Sequence, residues 1–207
     1  MSEYQLHCFG QSGNAFKAAM MLNLSGADWE PRFVDFFNGE HKTPEYLAIN
    51  EMAEVPALQH GDFVLTQSGV ILDYLAEKTG KFGARNDEER REILRWLLFD
   101  NHKFTSFTAT YRFQVAFVEN PDPGLVAFAK MRMEGAMAVV EKRLADRDFL
   151  LGDRLTIADL SLQGYLSYDA EFDMAGFPDH PNMRGWIDRV KAMDGWKPPY
   201  EMMPTAQ

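Results

Sequence analysis

Glu54-Val55-Pro56, followed eleven residues after the proline by Gln67-Ser68 at the head of an apolar helical run, constrains this chain more than any other feature. The residue before a proline is driven to extended backbone, so Val55 can present its N–H and C=O edgewise to another extended chain. Pro56 ends the row of donors on that side. Ser68 opens Val70, Ile71, Tyr74 and Leu75, whose spacing marks one buried helical face. Its hydroxyl and the first backbone N–H groups then face outward at the positive end of a helix, where a carboxylate settles. Taken one at a time, Val-Pro is a common strand start and Ser a routine helix cap. In this order and spacing they describe a cradle for a small peptide.

At 207 residues the chain can form one large domain or two small ones, each with a real core. Its 21 basic and 31 acidic residues leave a formal charge of −10, which repels phosphate backbones and anionic membranes. Nucleic acid and membrane are therefore not expected partners. The densest basic run, Glu88 to Arg95, alternates sign like a solvated helix face. One cysteine cannot make an internal disulfide, and no apolar run reaches membrane length or follows a charged leader, so a cytoplasmic location is expected. Cys8 sits in an apolar strand without a second cysteine to form a redox pair, and is read as packing. The five histidines are scattered, with no spacing that suggests a metal site.

Gln5 to Phe9 reads as a strand, and Ala15 to Leu24 as a helix so apolar, with Lys17 its only charge, that it is largely buried. Trp29 to Phe36 is a second strand; Pro31 would remove a ladder hydrogen bond, so this strand belongs at a sheet edge. Thr43 to Ile49 is a short helix, and Pro56–His60 and Phe63–Leu65 flank Gly61-Asp62 as a hairpin. The order βαβ, helix, ββα is the thioredoxin-like plan, one mixed sheet with helices packed on its faces. Residues 80–87 form a linker, and everything beyond is helical: a long apolar face from Ile93 toward Phe117, stopped by Asn120-Pro121-Asp122-Pro123-Gly124, then Leu125 to Leu144. Thr156-Ile157-Ala158-Asp159 before an apolar run is a capping box.

Val55-Pro56 with Gln67-Ser68, the stretch Phe149 to Leu160 around the capping box, and Pro181, Trp186, Arg189 and Trp196-Lys197 resemble the cytosolic glutathione transferase superfamily over nearly the full chain. The resemblance implies an α/β plus all-α fold: a thioredoxin-like glutathione-binding domain over 1–79, the linker, and an all-helical domain over 88–207. It also implies a cis bond at Val55-Pro56, a Gln67-Ser68 pair that holds the γ-glutamyl end of glutathione, and Glu54, Val55 and Pro56 as further glutathione-binding residues. Ser12-Gly13-Asn14 between the first strand and the apolar helix is similar to serine-type members, the phi class and certain bacterial Ser-x-Asn proteins among them. Gly39-Glu40-His41-Lys42 is similar to a phi-like Gly-x-His-Lys whose basic side chains reach the glycine carboxylate.

The implied enzyme needs no reactive residue or cofactor of its own, because glutathione as co-substrate brings the nucleophile. The protein has only to make a thiolate. A free thiol titrates near 8.5, and each unit of depression corresponds to about 1.4 kcal/mol. The Ser12 hydroxyl and the positive start of the first helix can supply that, with Asn14 as positioning or auxiliary donor. Ser12 as an acyl-transfer nucleophile is disfavoured, since no Gly-x-Ser-x-Gly elbow surrounds it. Asn101, Phe104, Phe107, Thr108 and Tyr111 recur at roughly helical spacing; they either line the pocket of a hydrophobic electrophile or pack a helix face, and of these Asn101, Phe104, Thr108 and Tyr111 are the electrophile candidates. The expected reaction is conjugation of glutathione; glutathione-dependent disulfide reduction and a noncatalytic scaffold on the same fold are the alternatives. The superfamily resemblance also implies a two-fold homodimer.

Overall fold

The computed structural model describes residues 2–168, 171 and 180–206, which fall into two compact units, Met1–Gly83 with Met193–Gln207 and Ala84–Ala192. In the first, β1 (Tyr4–Cys8) runs into α1 (Gly13–Ser25) and β2 (Trp29–Phe33). A 3-10 turn over Glu40–Lys42 precedes α2 (Pro44–Leu47); the hairpin β3 (Ala57–His60) and β4 (Phe63–Thr66) leads into α3 (Ser68–Thr79). The sheet order is β2-β1-β3-β4, with β2 parallel and β3 antiparallel to β1. β2 is an edge strand, as Pro31 requires, and it ends at Phe33, short of the expected Phe36. Helix α1 packs with α3 and is buried along almost its whole length, Lys17 included. Alternating β1 residues Tyr4, Leu6 and Cys8 are buried beside Phe16, Met20, Ile71 and Leu75 in this unit's core.

The second unit is helical: α4 (Asp87–Phe99), α5 (Thr105–Phe117), α6 (Pro123–Arg143), α7 (Ile157–Gln163) and α8 (Pro181–Lys191). Asn86 caps α4 through Glu89 N–H, and Asp122 caps α6 through Leu125 N–H with Pro123 in the first turn. The long apolar face expected from Ile93 to Phe117 is interrupted, because Asp100–Phe104 widens into a π-helical turn between α4 and α5. Asp100, fully buried there, accepts from Thr105 Oγ1 at 2.7 Å and Ser161 Oγ at 2.5 Å, partners that a plain helical period does not reveal.

The capping box forms at the head of α7. The Asp159 carboxylate, fully buried, accepts from Thr156 N–H (2.8 Å), the Thr156 hydroxyl (2.9 Å), Leu150 N–H (2.8 Å) and Trp186 Nε1–H (3.0 Å). Burial pushes its pKa up, and the four bonds pull the other way.

The end of the chain differs from the expected second domain of 88–207: Met193–Gln207, carrying α9 (Pro199–Met202), belongs to the first unit. The reason is a set of distant backbone contacts. Gly10 N–H donates to Pro204 C=O at 2.7 Å, and Asn23 Nδ2 donates to Gly195 C=O at 3.1 Å. A β-carbon at Gly10 would lie 2.7 Å from Thr205 Cγ2 and 2.9 Å from the Tyr200 ring, so any other residue there would have to push those side chains aside.

Candidate active site

β1 delivers the chain to Ser12 through a turn in which Ser12 N–H donates to Phe9 C=O at 3.0 Å. Ser12 is the N-cap of α1: its backbone is extended, and its Oγ accepts from Ala15 N–H at 3.1 Å. That bond uses a lone pair and polarises the hydroxyl, whose proton has no acceptor among the described residues. The first N–H groups of α1 lack intrahelical partners by construction, so the partial positive charge of a 13-residue helix gathers beside Ser12. An anion held there receives a hydroxyl donor and a favourable field together.

The Val55-Pro56 bond is cis, and neither the N–H nor the C=O of Val55 is hydrogen-bonded among the described residues. The segment ahead of it is pinned. Tyr46 Oη donates to Glu54 C=O at 2.8 Å, and the buried Asn50 donates to the same carbonyl through Nδ2 at 2.7 Å. Neither Tyr46 nor Asn50 was legible as a site residue from sequence; Asn50 ahead of the positive-φ Ala53 was the available turn signal.

Gln67 adopts φ 67°, ψ 113° as it enters α3, and its Nε2 donates to Glu54 Oε2 at 2.9 Å, joining two expected site residues across the cis proline. A non-glycine residue in that conformation is a genuine outlier, and such outliers gather at ligand clamps. Ser68, buried, points its hydroxyl at Asn14 Oδ1 at the long distance of 3.5 Å. The start of α1, through Asn14, thus meets the start of α3, through Ser68.

His41 is buried in the 3-10 turn with its ring stacked on Phe36, centroids 3.9 Å apart. Its Nδ1 is buried without a hydrogen-bond partner among the described residues. Burial lowers its pKa, with the Lys42 charge adding to the effect, so the free ring is neutral at pH 7. Lys42 itself is exposed. Cys8 is fully buried and burial pushes its thiol from 9.0 to about 12, which removes it as a nucleophile. Among the described residues, no group of three or more His, Cys, Asp or Glu side chains could hold a metal ion.

Two family profiles match this arrangement: Glutathione S-transferase, N-terminal domain, over residues 4–77, and Glutathione S-transferase, C-terminal domain, over 123–189. Glutathione S-transferase 3 of Zea mays is 32% identical over 168 residues, covering 77% of this chain and 75% of that one. The chain belongs to the glutathione S-transferase family. A glutathione S-transferase from Pseudomonas fluorescens aligns with TM-score 0.89 at 28% identity over 96% of this chain and 100% of that one. A glutathione transferase family member from the same species, with two glutathione bound, aligns with TM-score 0.84 at 25% identity over 92% and 89%.

The residues expected to meet an electrophile in this transferase divide within the helical unit. Phe104 and Thr108 are buried to 1% and 0% exposure, and the Thr108 hydroxyl returns to Phe104 C=O at 2.7 Å, which makes both of them packing residues. Tyr111 keeps 8% of its surface, and Asn101, in the π turn, is exposed with its carbonyl taking the Ser106 hydroxyl. The widened turn separates Asn101 from the buried row that a regular helix would have let it join.

Proposed function

We propose that this transferase binds glutathione along Val55, ionises its thiol beside Ser12, and conjugates the thiolate to hydrophobic electrophiles. The observation that carries the reading is the Ser12 hydroxyl: it accepts from Ala15 N–H, keeps its proton, and sits at the positive end of α1 in the same unit as the unpaired Val55 edge. In this reading the glutathione backbone pairs with Val55 beside Pro56. Gln67, Ser68 and Glu54 take the γ-glutamyl end, and His41 and Lys42 take the glycine carboxylate. Asn14 orients Ser68 and acts as the auxiliary donor to sulfur. Of the helical residues, Asn101 and Tyr111 meet the electrophile, since Phe104 and Thr108 have no accessible surface to offer.

The Pseudomonas relative with two glutathione bound supports glutathione as the ligand. No helix among the described residues is long and apolar enough to cross a membrane. We assign the protein to the cytoplasm, to detoxification chemistry, and to a homodimer. Leu94 and Leu98 on α4, exposed by 53% and 62% one turn apart, support the dimer as an uncovered apolar row. Two assays test the activity: conjugation to an aryl halide and reduction of a small disulfide, each with glutathione. Conjugation is expected; activity on the disulfide alone overturns it, and a calorimetric titration with no glutathione binding overturns the site.

A further inference from the structure

Met52 and Met131 are the exposed methionines among the described residues, at 53% and 58%, while Met20, Met21, Met133, Met137, Met183, Met202 and Met203 are buried. Exposure alone would make the two equivalent targets for oxidation. Their surroundings differ. Met131 lies along a groove with Phe99, Phe107, Val139, Lys103 and Arg132, and no hydrogen bond to its sulfur is seen among the described residues. Met52 carries a polar contact: Gln67 Nε2 lies 3.2 Å from its sulfur while also donating to Glu54 Oε2 at 2.9 Å. One side-chain amide therefore bridges a thioether and a carboxylate, with one N–H for each.

We propose that Met52 is an oxidation site through which peroxide lowers the affinity of the glutathione site. In the step, the sulfur lone pair attacks one peroxide oxygen, the S–O bond forms as the O–O bond breaks, and the other oxygen leaves as water. The methionine is oxidised by two electrons and the peroxide is reduced by two. A thioether is a weak acceptor, and a sulfoxide oxygen is a strong one. With sulfur only 3.2 Å from Gln67 Nε2, no room is left for an oxygen between them at hydrogen-bond distance, so the amide must move off Glu54 to accommodate it. Gln67 cannot follow freely, because its backbone is held at φ 67° at the head of α3. Its side chain turns to the sulfoxide and the Glu54 carboxylate loses its donor. The γ-glutamyl end of the site is altered while Ser12, at the sulfur end, is untouched. The inference rests on the glutathione reading above.

The full chain is treated with a short pulse of hydrogen peroxide. Peptide mass spectrometry then follows oxygen uptake at Met52 and Met131, and glutathione is titrated calorimetrically before and after. Met52 is expected to gain oxygen, and glutathione affinity to fall in step with that uptake by roughly three- to tenfold, the size of one net hydrogen bond. Met52→Leu should keep its affinity through the same pulse, and Met52→Gln, which places an amide oxygen near Gln67, should reproduce the loss without peroxide. No oxygen uptake at Met52, an unchanged affinity in the oxidised protein, or an equal loss in Met52→Leu overturns the inference alone. Untreated protein that binds no glutathione overturns the site reading and takes this inference with it.

Discussion

The polar cluster around Asp159 and the cluster around Ser12 stand at opposite extremes of hydrogen-bond satisfaction. Asp159 is fully buried with four donors on its carboxylate, two of them backbone N–H groups of a loop and a helix cap. Asp100, equally buried, takes two hydroxyls. At the other end, among the described residues, Ser12 has a proton with no acceptor, His41 has a buried nitrogen with no partner, and Val55 has an unpaired backbone edge. Both clusters rest on helix caps. The lesson is that a cap whose groups are all used holds a fold, whereas a cap with one group still available is a place for a ligand.

Removing Asp159 tests the first half most severely. Asp159→Ala leaves the Leu150, Thr156 and Trp186 donors without an acceptor in a dry interior, and should cost about 3–5 kcal/mol of stability in urea melts. A loss under about 1 kcal/mol would put this hub in the same class as an ordinary cap and break the comparison. Ser12→Ala should do the opposite: about 1 kcal/mol of stability for the lost cap, little change in glutathione affinity, and turnover lower by roughly 10- to 100-fold as the thiolate absorbance near neutral pH disappears. If Asn14→Ala abolishes turnover and Ser12→Ala does not, the two residues exchange roles.

Proton linkage sharpens the contrast further. Burial favours the neutral His41 ring, and a carboxylate bound against it favours the protonated one. Glutathione binding should therefore take up a proton and tighten as pH falls from about 7.5 to about 6, by no more than tenfold per unit. Calorimetry in buffers of different ionisation enthalpy reads that proton directly, and uptake that persists in His41→Phe would rule His41 out. The smallest effect concerns stability. His7 and His41 both have pKa values lowered by burial, so the unfolded chain binds more protons once pH drops below the ordinary histidine value of about 6.5. Folding stability contributed by their neutral forms is present above that value and lost below it, which should move the urea midpoint downward between pH 7 and pH 5. A midpoint that rises over that range reverses the sign.

Much of the N-terminal unit was legible because its signals are local. Pro31 demanded an edge strand and the nearly uniform apolar run of α1 demanded burial, and in the helical unit Thr156-x-x-Asp159 announced a cap in the same way, each through residues within a few positions of one another. Of the proposed cradle, the Ser12 cap was legible for the same reason, since a cap depends on backbone groups within one turn. The π turn at Asp100 was not, because Ser161, one of its two hydroxyl partners, lies 61 residues away. The clamp of Tyr46 and Asn50 on Glu54 was hidden in residues that carry no chemical signature by themselves.

By itself the sequence determined where helices and strands begin, which strand lies at the edge, and which backbone groups a proline and two caps leave available, because those depend on sterics and hydrogen bonds within a turn or two of chain. The tertiary structure decided which polar groups are dry. It buried His41 against Phe36, drew residues 193–206 back to Gly10 and Asn23, and filled the Asp159 carboxylate while leaving the Ser12 proton unclaimed. Desolvation and partner count are properties of the surroundings, and the surroundings come from segments far apart in the chain.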